Sequence, residues 1–314
     1  MRIAIFGSGW VTPFHAQGIV DHPSGELVAA TNWREKSLTR LAERFGIPRT
    51  TTRWDDLLAD RSIDAVVIAT PNALHAPQAI ACLQAGKHVL VEKPMATSVA
   101  QAEGMIAAAG QSGPFLMVAH RWRFHDKVRA VRETILAGTL GEIVKTRGYG
   151  VHAEWGPSGW FTDPALAGGG ALLDMGVHAI DTARFLLGDP QPQRVCAVVG
   201  TRYGNYQVDD DAILLISWFN GTNSIVESGW WHRHLGGLEA DTEVYGTKGY
   251  TRIFTTEPPK HYEHASQPMY SRQMAEFIDA VTSGRQPHPS GEDGYTVMRV
   301  VEEAYRSAQR ERRQ

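Results

Sequence analysis

A lysine, an aspartate and a histidine are the side chains of this sequence whose positions best suit proton transfer. Lys93 comes two residues after the apolar run His88–Val91, at the carboxyl end of a predicted parallel strand, where open α/β sheets bind ligands. Asp174 and His178 are four residues apart in a predicted helix and therefore share one helix face. A neighbouring carboxylate raises the pKa of an imidazole towards neutrality and orients the ring, as an acid–base catalyst requires.

Each of these features also has an ordinary explanation. A lysine at a strand end is usually solvated, and an aspartate and histidine one turn apart are usually a helix cap or a surface pair. The residues around Asp174 and His178 favour a buried pair, because Met175, Val177 and Ala179 are apolar. We therefore treat Lys93, Asp174 and His178 as candidate catalytic residues.

A glycine-containing turn follows the first predicted strand and indicates a dinucleotide site. Gly7 and Gly9 stand where a tight bend and a close approach to a pyrophosphate need glycine, and Trp10 and Val11 complete the turn. Thr12 replaces a third glycine; we expect it to cap the next helix, with Pro13 as the first helical residue. The amides of such a helix terminus can face a phosphate.

The end of the second strand bears on the choice of cofactor. Asn32 stands where NAD-specific proteins usually place an acid that binds the adenosine ribose. A neutral amide does not repel a 2′-phosphate, and Arg34, beside Trp33, could pair with one. This favours NADP over NAD. The alternative is that Asn32 binds the ribose and Arg34 is solvated.

The elements that must position these residues alternate along the first 120 residues. Continuous apolar runs predict strands buried on both faces of a parallel sheet. The predicted strands are Arg2–Phe6, Leu27–Thr31, Ala65–Ala69, His88–Val91 and Phe115–Ala119, and the predicted helices are Pro13–Val20, Lys36–Phe45, Leu74–Ala85 and Val99–Ala109. This alternation is the doubly wound α/β pattern, so residues 1–120 are predicted to form an NAD(P)-binding Rossmann domain.

Residues 121–314 are predicted to form a second, α+β domain. One long helix, Gly170–Leu187, precedes strand-like runs that glycine turns join into an antiparallel meander. These runs are Arg194–Arg202, Ala212–Phe219, Thr222–Trp231, Leu238–Tyr245 and Tyr250–Phe254, and the helices Ser271–Val281 and Tyr295–Arg306 follow them.

Composition excludes several classes of protein. Lysine and arginine total 31 against 34 aspartates and glutamates, so there is no basic excess for binding nucleic acid. No apolar stretch reaches 18 residues, and we expect neither a signal peptide nor a membrane span. Cys82 and Cys196 have no spacing typical of a disulfide framework or a zinc site. The expectation is a cytoplasmic protein without a metal.

Motifs spread over nearly the whole chain add to this interpretation. They are Gly7-x-Gly9, Thr70-Pro71-Asn72 with His75, Gly86-Lys87-His88-Val89 leading to Glu92-Lys93-Pro94, Arg123-Phe124, Gly141-Glu142-Ile143, Gly168-Gly169-Gly170 before Asp174 and His178-Ala179-Ile180-Asp181, Glu276-Phe277-Ile278-Asp279, and Ser290-Gly291-Glu292-Asp293-Gly294. As a set they resemble the Gfo/Idh/MocA family, the relatives of glucose-fructose oxidoreductase and inositol dehydrogenase.

The resemblance implies a Rossmann domain followed by an α+β domain with a large, open, mostly antiparallel sheet. It implies hydride transfer between a nicotinamide and a hydroxyl carbon of a sugar, polyol or cyclitol, in a homo-dimer or homo-tetramer formed through the open sheet face. Lys93 matches the family lysine that contacts nicotinamide ribose and substrate, and Asp174 and His178 match its acid and base. The residues implied to line the cofactor crevice are Thr70, Pro71, Asn72, His75 and Glu92.

The substrate pocket is the least determined part of the site. The resemblance implies that Arg123, His152, Trp155 and His232 contact substrate, together with Lys93, Asp174 and His178. Aromatic faces such as Trp155, Trp160 and those in the run 230–234 suit the C–H faces of a sugar ring, although strand alternation lets only every second residue of that run face a pocket. The sequence does not distinguish one sugar or cyclitol from another. An alternative function is an NAD-dependent glycoside hydrolase that works by transient oxidation and elimination.

Overall fold

The computed structural model describes residues 1–153, 155–232, 240–254 and 266–311. Its strands are β1 (Arg2–Phe6), β2 (Glu26–Thr31), β3 (Arg49–Thr51), β4 (Ala65–Ile68), β5 (His88–Glu92), β6 (Leu116–Ala119), β7 (Ile143–His152), β8 (Pro192–Gly200), β9 (Asp211–Trp218), β10 (Asn223–Trp230), β11 (Ala240–Gly246) and β12 (Tyr250–Arg252). Its α-helices are α1 (Thr12–Asp21), α2 (Glu35–Phe45), α3 (Asn72–Gln84), α4 (Val99–Ser112), α5 (Asp126–Leu136), α6 (Pro164–Ala167), α7 (Val177–Leu186), α8 (Gln267–Thr282) and α9 (Gly291–Glu311).

The first compact unit, Met1–Arg121 with Ser266–Tyr295, is built on a parallel sheet. Its strand order is β3-β2-β1-β4-β5-β6, and each neighbouring pair runs parallel. The central strands β1 and β4 are buried along almost their whole length, as their continuous apolar runs predict. The doubly wound Rossmann architecture predicted for this part of the chain is confirmed. The short edge strand β3, with sequence Arg-Thr-Thr, is not predicted from sequence because it has no apolar run.

Helix α8 packs on α1 within this first unit, whereas the sequence predicts a single boundary at residue 120. Gln267 donates a hydrogen bond to the Phe14 carbonyl at 3.0 Å, and the rings of Phe14 and Tyr270 stack with centroids 5.0 Å apart. Gly18 allows the two helices to approach closely, since a Cβ there would lie 3.0 Å from that of Met274. The two compact units therefore differ from the predicted ranges 1–120 and 121–314, because the segment Ser266–Tyr295 belongs to the first unit.

The second unit, Trp122–Ala265 with Thr296–Gln314, contains a mixed sheet of order β12-β11-β7-β10-β9-β8. The antiparallel pairs β8–β9 and β9–β10 agree with the predicted meander. Strand β7 does not, because it lies between β10 and β11 and runs parallel to β10. The sequence of β7 does not indicate a strand, because its apolar alternation is interrupted by two glycines and two exposed basic residues, Gly148, Gly150, Lys145 and Arg147. The glycine at 150 is required, because a Cβ there would lie 2.2 Å from the Met175 carbonyl oxygen.

The two faces of this second sheet differ in burial. Along β9, Ala212, Leu214 and Ile216 are buried, and α7 contacts strands β7, β10 and β11 of the sheet. Between them Ile213 and Leu215 point the other way and remain about half exposed. Val198 is paired with Ile213 and is similarly exposed, so the open face carries an apolar patch. Within the described residues, no helix is both long and apolar enough to cross a membrane.

Candidate active site

The turn after β1 has the conformation that a dinucleotide turn needs. Gly7 has φ +107°, and a Cβ there would lie 2.2 Å from the Ala69 carbonyl oxygen, so the fold itself demands glycine. Gly9 is different, because a Cβ at this position would meet no protein atom within 4 Å. The packing of the chain does not explain glycine at this position. Open space above a main-chain amide is what a pyrophosphate requires, so the turn fits a dinucleotide.

The start of α1 corrects one detail of the prediction. Thr12 does not cap the helix; Val11 occupies the cap position, and no side chain there accepts a hydrogen bond from the first turn. Thr12 is instead the first helical residue, with its hydroxyl buried, and Pro13 follows it within the first turn. A helix terminus without a side-chain cap leaves its positive end to an external anion, which again fits a bound phosphate.

The end of β2 forms a small polar network. The amide nitrogen of Asn32 donates to the hydroxyls of Ser8 and Ser37, the latter at 3.0 Å, and Ser37 donates to the Arg34 carbonyl. The guanidinium of Arg34 lies 4.6 Å from the ring centroid of Trp33, in a cation–π contact. Asn32 is thus held by the glycine turn and by α2 together, at the position expected to face the adenosine ribose.

The ends of β4 and β5 are bridged by His75. Its ring nitrogens lie 2.8 Å from the carbonyl oxygens of Thr70 and Pro94. Burial lowers the pKa of His75, so the ring is neutral at pH 7 and donates to one of the two carbonyls at a time. His75 therefore ties together the two segments that carry Thr70–Asn72 and Lys93. The Lys93–Pro94 peptide bond is cis.

Glu92, the last residue of β5, has its side chain buried within the first unit. Its Oε1 lies 2.7 Å from Nε2 of His15 in α1, and its Oε2 accepts a hydrogen bond from the Lys93 main-chain amide at 3.1 Å. Burial by itself raises the pKa of this carboxyl. The hydrogen bond and electrostatic interaction with His15 and the positive charges of Arg121 and Lys93 outweigh burial, so the pKa lies below its usual range and Glu92 is ionised.

In the second unit, a buried carboxylate is surrounded by donors. Asp174 lies in a π-helical turn, Leu172–Gly176, which interrupts the single helix predicted over Gly170–Leu187. Its Oδ2 lies 3.1 Å from His152 Nε2 and accepts a hydrogen bond of 3.1 Å from Trp230 Nε1. His152 and Trp230 are paired at the ends of the parallel strands β7 and β10. The sheet edge therefore presents an imidazole and an indole to the carboxylate.

Asp209 holds the start of this helical segment in place. Its carboxylate accepts hydrogen bonds of 2.8 Å from the amides of Gly170 and Leu172, and one of 2.7 Å from the hydroxyl of Tyr305. Burial raises the pKa of Asp209 in spite of these three donors. Gly170 has no room for a Cβ, which would lie 1.8 Å from the Asp209 carbonyl oxygen. The glycine run before Asp174 therefore lets the main chain approach Asp209 closely enough for these hydrogen bonds.

The remaining predicted pocket residues of the second unit lie near Asp174 in different ways. His178 is buried in the first turn of α7, one turn after Asp174. The ring of Trp155 stacks on His152 with centroids 3.8 Å apart, and 46% of Trp155 is exposed. His232 lies 3.3 Å from the Asp211 carboxylate, and its main-chain amide donates to the His152 carbonyl at 3.1 Å. The last two positions of the run 230–234 lie outside the described residues.

Arg123 is held by two acidic side chains of the second unit. Its guanidinium makes a two-point ion pair with Asp181, with contacts of 2.9 and 2.7 Å, and lies 2.9 Å from Asp189. All of Arg123 except 7% is buried. These contacts tie the segment before α5 to α7. The substrate contact that the resemblance implies for Arg123 stays a prediction.

Two residues, Asp209 and His15, escape prediction from sequence because they belong to no short motif and their partners are distant along the chain. Trp230 belongs to the run 230–234 that the sequence analysis singles out, but its contact with Asp174 is not predictable from that run. The available signal for Trp230 is its place at the end of a strand. Among the residues that the structure describes, no group of three or more histidine, cysteine, aspartate or glutamate side chains could hold a metal ion.

Comparison with known proteins agrees with the folds of the two units. Residues 1–120 match a family model described as an oxidoreductase family with an NAD-binding Rossmann fold, and residues 128–252 match the model of the GFO/IDH/MocA C-terminal domain. Together these two models cover most of the chain.

Full-length relatives are similar at moderate identity. The 1,5-anhydro-D-fructose reductase of Ensifer adhaerens is 29% identical over 93% of this chain and 92% of that protein. The D-glucoside 3-dehydrogenase of Escherichia coli is 30% identical over 98% of this chain and 95% of its own length. The crystal structure of GenD2 from gentamicin A biosynthesis, in complex with NAD, superposes with a TM-score of 0.88 at 30% identity, covering 98% of this chain and 94% of that one.

Proposed function

We infer the activity of this chain from the family to which it belongs, the Gfo/Idh/MocA oxidoreductases. It is an oxidoreductase that transfers a hydride between a nicotinamide cofactor and a hydroxyl carbon. We propose that its substrate is a sugar, polyol or cyclitol. The observation that carries this proposal is the set of contacts around the buried Asp174 carboxylate. The side chains of His152 and Trp230 contact its Oδ2, and the half-exposed ring of Trp155 stacks on His152. An aromatic face next to hydrogen-bonding groups suits a ring with both C–H faces and hydroxyls.

The first unit would hold the cofactor. Gly7, Gly9 and the uncapped start of α1 would bind its pyrophosphate, and Trp10, Val11, Thr70, Pro71 and Asn72 line the same edge of the parallel sheet. When bound, the nicotinamide supplies the acceptor for the hydride. The second unit would bind the substrate, as the sequence predicts for this part of the chain.

In the proposed oxidation, Lys93 polarises the substrate hydroxyl and stabilises the negative charge that develops on its oxygen. His178 takes the hydroxyl proton as the substrate carbon gives up its hydride, which a nicotinamide held by the first unit would accept, and the C=O bond forms. Asp174 orients the reacting oxygen and, through His152 and Trp230, is itself held in one position. In the reduction, His178 returns the proton.

The choice between NAD and NADP rests on Asn32 and Arg34. A neutral Asn32 and a cationic Arg34 support NADP, as the sequence predicts. A cytoplasmic location and a homo-dimer or homo-tetramer also stay predictions; the apolar patch of Val198, Ile213 and Leu215 on the open sheet face supports self-association.

The test is steady-state reduction of NAD and NADP in parallel against a panel of pyranoses, inositols and glycosides, followed by absorbance of the reduced nicotinamide. One sugar or cyclitol that reduces the cofactor, with loss of that turnover in Lys93→Ala and His178→Ala, is the expected result. Release of an aglycone from a glycoside without net reduction would instead assign the NAD-dependent hydrolase activity. Full turnover in either variant would overturn the catalytic assignment.

A further inference from the structure

The buried pair of Glu92 and His15 joins helix α1, which follows the glycine-containing turn, to the end of strand β5. His15 is the fourth residue of α1, the helix that follows the glycine-containing turn, and is fully buried. Glu92 ends β5 directly before Lys93 and is 5% exposed. Their contact of 2.7 Å spans 77 residues of sequence. One hydrogen bond therefore connects the helix that follows the phosphate turn to the strand end that carries Lys93.

The chemistry of a carboxylate defines the direction of these contacts. An ionised glutamate only accepts hydrogen bonds, so Nε2 of His15 carries the hydrogen that it donates to Oε1. The second oxygen accepts from the amide of Lys93, the residue next in the chain. Both oxygens of Glu92 are therefore engaged with protein donors inside the first unit. The cofactor contact that the resemblance implies for Glu92 stays a prediction beside these contacts.

The surroundings leave little freedom for this pair to move. The ring of Tyr270 on α8 meets the His15 ring edge-on, with centroids 5.2 Å apart. The guanidinium of Arg121 lies 5.9 Å from the same tyrosine ring, and its charge, with that of Lys93, acts on Glu92. Burial of Tyr270 raises the pKa of its hydroxyl, so it stays neutral. Because a buried carboxylate has no ready replacement for a lost donor, the geometry at Glu92 is strongly determined.

We propose that Glu92, held by His15, is a positioning residue that fixes the main chain at Lys93 and so directs the lysine ammonium towards the reacting oxygen. The pair acts through Lys93 and does not contact the substrate. This proposal rests on the proposed catalytic role of Lys93. It predicts that moving the carboxylate changes the rate of hydride transfer more than the affinity for the nicotinamide cofactor.

The test is Glu92→Asp, which withdraws the carboxylate by about 1.5 Å, one carbon–carbon bond. We expect kcat on the substrate found with the panel to fall by about 10²-fold, the scale of a misplacement of about 1 Å at a reacting group. The dissociation constant of the cofactor that supports turnover in the panel, NAD or NADP, should stay within about threefold of that of the unaltered protein when measured by isothermal titration calorimetry. His15→Phe, which keeps a ring against Tyr270 but removes the donor, should show the same split between kcat and cofactor affinity.

The matched control is Glu26→Asp. Glu26 begins β2 in the same sheet and makes an exposed ion pair with Arg2 at 3.1 Å, so its shortening should leave kcat unchanged. An effect that acts through Lys93 must vanish when Lys93 is absent. In single-turnover measurements, Lys93→Ala and the double variant Lys93→Ala with Glu92→Asp should therefore react at equal rates.

Two outcomes would overturn the proposal. An equal fold-loss from Glu92→Asp with and without Lys93 would show that Glu92 acts independently of the lysine. Unchanged kcat together with binding of the turnover cofactor weakened more than about tenfold would make Glu92 a cofactor ligand. Failure of the proposed function looks different, because Lys93→Ala would then retain full turnover.

Discussion

Trp230 donates its indole N–H to the carboxylate of Asp174 at 3.1 Å, across 56 residues of sequence. The tryptophan ends a strand, and the aspartate lies in a π-helical turn that packs against that strand. Asp174 also faces His152 at the same distance, so the strand ends hold the carboxylate from two sides. The position of this candidate catalytic group is thus set by the sheet of the second unit.

Replacing Trp230 by phenylalanine should lower turnover and stability together. The variant keeps an aromatic ring in the core but leaves the buried Asp174 with one donor fewer, which costs about 1–3 kcal/mol of unfolding free energy. Because Asp174 would then be less firmly oriented, we expect kcat to fall by about tenfold. Urea denaturation and steady-state kinetics measure the two effects.

Trp218→Phe is the matched control for this substitution. Trp218 is equally buried in the same sheet and donates its indole N–H at 2.8 Å, but to Ser224. It should lose a similar amount of stability with unchanged kcat. Equal kinetic losses in the two variants would mean that the contact with Asp174 has no special part in turnover.

Asp174→Asn tests the charge of the carboxylate with little change of shape. His152 and Trp230 both contact Oδ2, where an amide oxygen can still accept from them, but the amide has no negative charge and replaces the other oxygen by an NH2 donor, so the reacting oxygen loses its orientation. We expect kcat to fall by about 10²-fold or more, as for other preorganised polar groups at reacting centres. The control is Asp163→Asn, an exposed helix-capping position where asparagine caps equally well. Wild-type turnover in Asp174→Asn would remove Asp174 from the catalytic group.

The open face of the second sheet should mediate self-association. Ile213→Lys places a charge in the apolar patch, where burial against a second copy would be unfavourable. We expect light scattering after gel filtration to report a smaller assembly than the dimer or tetramer of the unaltered protein. Val20→Lys is the control, because Val20 is as exposed as Ile213, at 52% against 53%, but lies on α1. A protein that is monomeric before any substitution would contradict the prediction.

The ion pair of Glu276 and Arg285 should contribute stability at neutral pH and lose it in acid. Burial alone raises the pKa of Glu276, but the two-point hydrogen bond from Arg285, with both contacts at 2.7 Å, and the amide of His288 bring it below its ordinary value. A folded-state pKa below the unfolded one adds stability above the unfolded pKa, and this is lost as pH falls through the folded pKa.

Glu276→Gln should therefore lower the unfolding free energy by about 1 kcal/mol at pH 7, and the difference from the unaltered protein should shrink below the ordinary glutamate pKa of 4.5. Denaturant titrations at several pH values measure this. Glu43→Gln, at an exposed position of α2, should show no such change. A difference that is constant across pH would show that the charge of Glu276 is not its cause.

Features that depend on neighbours along the chain can be predicted from the amino-acid sequence. The apolar runs of β1, β4 and β5 predict buried parallel strands, since strands covered on both faces need continuous apolar residues. Gly7 and Gly9 predict a dinucleotide turn because a turn is a local structure. Lys93 follows from its strand, for a residue just beyond a parallel strand lies at the ligand-binding edge.

Contacts between distant residues depend on tertiary packing and are not predictable in this way. Strand β7 is a strand because it pairs with β10 and β11, and its own pattern does not indicate one. The spacing of Asp174 to His178 is visible in the sequence. The side chains that contact Asp174, His152 and Trp230, come from two strands elsewhere in the chain. Glu92 and His15 meet across 77 residues for the same reason. A buried polar group must find a partner, but its sequence position does not say where, because that partner is set by how sheets and helices pack.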